Sequence, residues 1–196
     1  MPSSTAEMSA ATNLEWIDTL GGPLIAMPRA VVGLWSGYEP PTDGRVIEAS
    51  FRCGPDDEPA TDYDRACSVR EDIGALQVGG GWAVVLTGTP PMACYIPRAD
   101  GSMFVVWDVG ESEEAISTLL RNPPLTGWQD TGTTIVHEGG LVQLFDSVAP
   151  GCDSDRDPED YQIFPLSRGS YSIWSNEWEP DSQTRLVLHR LTQVED

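Results

Sequence analysis

The sequence predicts a mainly β fold: antiparallel strands in hairpins forming two packed sheets, sandwich-like, with one α-helix near residues 112–121. Three observations predict it. Apolar and polar residues alternate with a period of two in stretches such as "LEWIDT". Paired apolar runs flank short connections containing glycine, which is how hairpins are punctuated. A single stretch combines helical spacing with a capping residue and a proline stop.

Taken in order, residues 1–13, "MPSSTAEMSAATN", carry neither a basic n-region nor an apolar h-region and read as a flexible N-terminal tail. A single domain is expected over 14–196, a length that allows one sizeable core. "LEWIDT", "GG" and "PLIAMP" read as a β-turn-β opening that ends at Pro28. After "GLWSG", residues 38–61 are rich in Pro, Gly and Asp and read as a long loop holding one strand at Val46–Arg52. "IGALQV-GGG-WAVVLTG" and "MACYIP-RADG-SMFVVWDV" read as hairpins.

The helix is "SEEAISTLLRN". Ser112 caps it, acids fill its first turn, and Ala115, Ile116, Leu119 and Leu120 follow at helical spacing before Pro123 stops it. "GTTIVHEGGLVQLFDS" reads as a third hairpin, and an acidic loop follows at 153–160. "YQIFPL", "GSYSIWSNEWE" and "TRLVLHRLTQ" close the chain as separate strands. Tight connections between successive strands imply antiparallel pairing.

Charge narrows the function. Asp and Glu number 31 against 11 basic residues, a formal net charge of -20. Direct nucleic-acid binding, which depends on Lys and Arg displacing counterions from phosphates, is disfavoured. So is an anionic membrane surface. No apolar run approaches the roughly 20 residues that span a bilayer, so the cytoplasm is the expected location. Cys53, Cys67, Cys94 and Cys152 form no C-x-x-C pair and read as free, at least partly buried thiols.

Candidate chemistry is sparse. Asp153, Asp155 and Asp157 mimic the first ligands of a calcium loop, but Pro158 replaces the turn glycine and Phe164 the closing glutamate. "GGGW" at 79–82 lacks phosphate-loop spacing and has no lysine, so it reads as a turn. A Ser-His-Asp or Cys-His site would have to use His137 or His189, each within an alternating strand, and no G-x-S-x-G elbow is present. In "TDYDRACSVRED", Arg65 and Arg70 offer salt-bridge partners to the acids, while Tyr63 and Cys67 share one face of a helical turn. That stretch reads as structural. No catalytic residue, metal or cofactor is assigned.

These residues also carry a likeness. The early Trp16 before a glycine pair, the W-x-G motif from Trp35 to Gly37, and the Y-x-x-x-C motif from Tyr63 to Cys67 occur in order. "VGGGWAVVL", "GLVQLFDSVAPG" and "GSYSIWSNEWEPDSQTRLVLHRL" follow them. The chain resembles the immunity protein 21 family of bacterial polymorphic toxin systems over roughly residues 14–192. The resemblance implies a mostly β fold, no catalysis, and neutralisation of a cognate toxin by non-covalent binding. Trp16, Trp35, Gly37, Tyr63 and Cys67 are then family-motif residues with a structural role.

An acidic chain gains association rate with a basic partner, such as a nuclease-type toxin, by roughly 10 to 1,000-fold through steering. Asp153, Asp155, Asp157, Glu159 and Asp160, with Glu177, Trp178 and Glu179, are the expected toxin contacts, because aromatic anchors within charged rims make hot spots. The alternatives are a small carboxylate- or metal-dependent hydrolase and an acidic nucleic-acid mimic.

Overall fold

The computed structural model describes residues 14–38, 61–87, 92–98, 101–152 and 156–194. The expected tail over 1–13, the strand at Val46–Arg52, and Cys53 lie outside the described residues.

The strands are β1 (Ile17–Asp18), β2 (Leu24–Pro28), β3 (Ile73–Val78), β4 (Gly81–Leu86), β5 (Met92–Ile96), β6 (Met103–Val109), β7 (Gln129–Asp146), β8 (Tyr161–Trp178) and β9 (Arg185–Val194). Helices α1 (Asp62–Cys67) and α2 (Glu113–Leu119) accompany them, with short 3-10 turns at Val32–Leu34 and Pro158–Asp160. The mainly β prediction holds. All nine strands belong to one antiparallel sheet in the order β1-β5-β6-β9-β8-β7-β2-β4-β3, and the sheet is not closed.

The sandwich-like reading holds only in part, because the two packed layers are halves of that one sheet. Strands β7 and β8 are each 18 residues long and serve both halves. The C-terminal part of β7 pairs with β2, whereas the C-terminal part of β8 pairs with β9. Folding the sheet over brings side chains from every strand into one core, among them Ile17, Leu24, Ile73, Val84, Ala93, Phe104, Leu144, Phe164 and Leu191.

Each outer face then carries its own apolar cluster. Ile25, Met27, Val85 and Phe145 meet Trp35 and Ala66 of α1 on one side. Met103, Val105, Leu186 and Leu188 meet Ile116 and Leu120 at α2 on the other. A strand buried on both faces needs no alternation, which is why "PLIAMP" is apolar throughout.

The hairpins β3–β4 and β5–β6 form as predicted. So does the helix, where the Ser112 hydroxyl accepts from the Ala115 N–H at 3.2 Å. Three expectations fail. β1 and β2 do not pair with each other: β1 joins β5, and β2 lies between β4 and β7.

The third hairpin is instead the single strand β7. Gly139 and Gly140 adopt φ of +86° and +120°, yet β8 stays paired on either side of them without a register shift. "YQIFPL" and "GSYSIWSNEWE" are likewise one strand, β8, despite Pro165. The facing Leu141 turns its carbonyl away to accept from the Arg29 N–H at 2.8 Å, so no N–H is required of Pro165.

Candidate functional site

The family-like motifs converge on one end of the molecule. Trp35 is 1% exposed, and its Nε1–H donates to the Ser147 carbonyl at 2.9 Å. The Trp35 carbonyl accepts from the Gly151 N–H at 2.8 Å. Gly37 has φ of +62°, and a Cβ there would lie 2.3 Å from the Val148 carbonyl oxygen, so only glycine fits.

The W-x-G segment also meets α1. The Gly37 carbonyl accepts from the Tyr63 N–H at 2.9 Å, and Asp62 Oδ2 accepts from the Ser36 N–H at 2.9 Å. α1 starts at a capping box in which Thr61 Oγ1 accepts from Asp64 N–H and Asp64 Oδ2 accepts from Thr61 N–H. Arg65 pairs with Asp62 at 2.8 Å.

Tyr63 reaches back to the start of the chain. A Cβ on Gly22 would lie 2.4 Å from the Tyr63 hydroxyl, so the ring occupies the space a side chain would take. Next to it the Pro23 carbonyl accepts from both the N–H and the hydroxyl of Ser147, at 3.1 and 2.5 Å. The "GG" pair, W-x-G and Y-x-x-x-C are therefore clamps on one junction. Cys67 is half-buried at the end of α1. Trp16 lies apart, edge-on to Trp107 with centroids 5.4 Å apart, in the cluster beneath α2.

Of the expected toxin contacts, Asp153 and Asp155 lie outside the described residues. Asp157, Glu159 and Asp160 are exposed at the 3-10 turn 158–160, which Asp157 caps by accepting from the Glu159 N–H at 3.1 Å. This turn lies against β1. Glu177 and Glu179 are exposed at the opposite end of β8, and Trp178 is half-buried against the cluster beneath α2. Asp18, Met92, Trp107, Leu186 and Trp178 form one row across β1, β5, β6, β9 and β8. At roughly 4.8 Å per strand the row is at most about 19 Å long.

Other polar groups are arranged differently. A cleft of about 450 Å³ opens between the β5–β6 connection and β8 and β9, walled by Tyr95, Arg98, Ser102, Tyr171, Thr192 and Gln193. Its described walls hold no Asp, Glu or His. His189 is 1% exposed, its Nδ1 sits 2.7 Å from the Ser175 hydroxyl, and burial depresses its pKa to about 3. A carboxylate partner, as in a Ser-His-Asp site, would push that pKa the other way. His137 is also buried, its Nδ1 accepts from the Gly139 N–H at 3.0 Å, and burial lowers its pKa.

The other chemical candidates have plain geometry. Among the described residues no three His, Cys, Asp or Glu side chains converge to hold a metal ion. Cys94 is buried, which raises its thiol pKa, while Cys152 is exposed, against the expectation of partial burial. No helix among the described residues is long and apolar enough to cross a membrane.

The sequence model of immunity protein 21 matches residues 15–184. The chain belongs to the immunity protein 21 family. The match takes in β1 to β8 and both helices and stops where β9 begins. Nothing among curated proteins or solved structures matches the chain. In this immunity protein 21 chain, sequence reasoning missed Gly22, Asp146 and Ser147, which complete the junction. The signals pointing to it were the "GG" pair, which reads equally well as an ordinary turn, and the "GLVQLFDSVAPG" stretch, which holds Asp146 and Ser147 without marking either.

Proposed function

We propose that this chain is an immunity protein that neutralises a cognate toxin of a bacterial polymorphic toxin system, in the cytoplasm, by forming a non-covalent complex. Membership of the immunity protein 21 family carries this reading. The toxin is a basic, nuclease-type domain. A formal charge of -20 supports that choice, because the summed field speeds encounter with a cationic partner and repels nucleic acid.

The contact includes the exposed carboxylates of Asp157, Glu159 and Asp160, with Asp153 and Asp155 beside them in sequence, and extends to Glu177, Trp178 and Glu179. Support comes from the turn's place against β1, whose Asp18 heads the row that ends at Trp178. A standard interface covers about 800 Å² per partner, a disc roughly 30 Å across, and that row of about 19 Å is shorter than the disc. Trp35, Gly37, Tyr63 and Cys67 act beneath this surface as framework, and Trp16 does so beneath α2. Inhibition needs no catalysis, since an occupied or blocked toxin surface suffices.

The test is growth rescue. Cells expressing the toxin domain encoded beside this gene are scored for survival with and without this chain. Rescue supports the reading; death at equal toxin levels in both cultures contradicts it.

A further inference from the structure

Leu20 is 93% exposed, yet its backbone is held from several directions. Its N–H donates to Asp146 Oδ2 at 2.8 Å, a bond from the β1–β2 turn to the end of β7. Thr19 Oγ1 accepts from the N–H groups of Gly21 and Gly22 at 3.1 and 3.0 Å and donates to the Gly22 carbonyl at 2.9 Å. Gly21 takes φ of +106°, which a side chain would strain. Below the turn lie the Tyr63–Gly22 contact and the Ser147 bonds to Pro23.

An apolar side chain on a fixed backbone has little order left to lose on binding. Asp18 is exposed two residues before Leu20, and Glu159 and Asp160 are exposed on the 3-10 turn that lies against β1. An apolar centre with a charged rim is the arrangement of an interface hot spot.

We infer that Leu20 is the apolar anchor of the toxin contact. It enters a shallow apolar pocket on the toxin whose Arg and Lys rim meets Asp18, Glu159 and Asp160. This rests on the immunity reading and adds to it a residue and a place. It also gives the junction a purpose: the family-motif residues hold rigid the turn that touches the partner.

The test titrates the purified toxin domain encoded beside this gene into the full chain and its variants L20A, L20D and L125D by calorimetry. Leu125 is 90% exposed on the connection between α2 and β7 and serves as the control. L20A should weaken Kd by about 10-fold or more and L20D by more still. L125D should stay within about twofold of wild type, and all variants should keep the wild-type thermal midpoint.

Binding by L20A within about twofold of wild type overturns the anchor and leaves the immunity reading standing, even if L20D is weak, since repulsion alone would then explain L20D. Equal losses in L20D and L125D overturn it as well. If wild type itself does not bind, the immunity reading fails and the anchor falls with it.

Discussion

The side-chain amide of Gln162 on β8 pairs with both main-chain groups of Tyr95 on β5. Oε1 accepts from the Tyr95 N–H at 2.7 Å, and Nε2 donates to the Tyr95 carbonyl at 3.0 Å. One glutamine thus replaces a residue of a missing strand, because β1 accompanies β5 only at Met92 and Ala93. On the same face of β8, Phe164 stacks on the Tyr95 ring with centroids 3.5 Å apart and planes 10° from parallel. Pro97 follows β5 and Pro165 lies within β8, so neither facing edge offers a continuous row of donors. The two layers meet here by side-chain pairing, and the sheet stays open.

Replacing Gln162 with Leu should therefore destabilise the fold by about 2–4 kcal/mol, since two buried main-chain groups lose their partners together. Urea unfolding measures it. A loss below about 0.5 kcal/mol would mean that water reaches Tyr95 and the seam is not closed.

The contact between Gly22 and Tyr63 predicts coupling. Gly22→Ala should be destabilising with Tyr63 present and much less so in a Tyr63→Ala background, with an interaction energy of about 0.5–3 kcal/mol. Additive losses would show that the ring shifts aside freely. Gly37→Ala should cost at least about 2 kcal/mol, because its positive φ and the close Val148 carbonyl act together.

The buried histidines set a pH dependence. His189 is lowered from 6.5 to about 3 by burial, and His137 is lowered as well. The unfolded chain therefore binds protons below about pH 6.5 that the folded chain refuses. Their contribution is complete above that pH and is lost as pH falls toward the folded values, by up to about 1.4 kcal/mol per pH unit for each histidine. Between about pH 6.5 and 5 most carboxylates stay ionised, so the slope there belongs to the histidines. Urea stability should fall across this window in wild type and fall less in His189→Gln. Equal stability at both ends would contradict the burial of these rings in neutral form.

Neutralising Asp157, Glu159 and Asp160 together, as Asp→Asn and Glu→Gln, should slow association with a basic toxin by about 10-fold at low salt and flatten its salt dependence. Stopped-flow association rates measure it. An unchanged salt slope would place the contact on another face.

How much of this was legible in the sequence follows from the range of each signal. The β3–β4 and β5–β6 hairpins and the Ser112 cap are local patterns, and each formed where its residues stand. Gly139 and Gly140 have the backbone freedom for a tight turn or for a distortion within a strand. What decided between them was the pairing with β8, which keeps one register on both sides of Gly139 and which no local spacing encodes. Trp35 and Tyr63 were recognisable as motif residues, but their partners Ser147 and Gly22 come from distant segments. Trp178 carried an aromatic signal that serves an interface or a cluster equally well, and its half-burial beneath α2 depends on how the sheet folds over.

The central claim is neutralisation by binding, and inhibition at fixed stoichiometry tests it most directly. Residual activity of the purified toxin domain encoded beside this gene is measured against increasing amounts of this chain at about 50 and about 500 mM salt. The account predicts that activity falls to background at a constant molar ratio, with a weaker apparent Kd at high salt. Full toxin activity in the presence of a large molar excess of the folded chain, at either salt concentration, would contradict it.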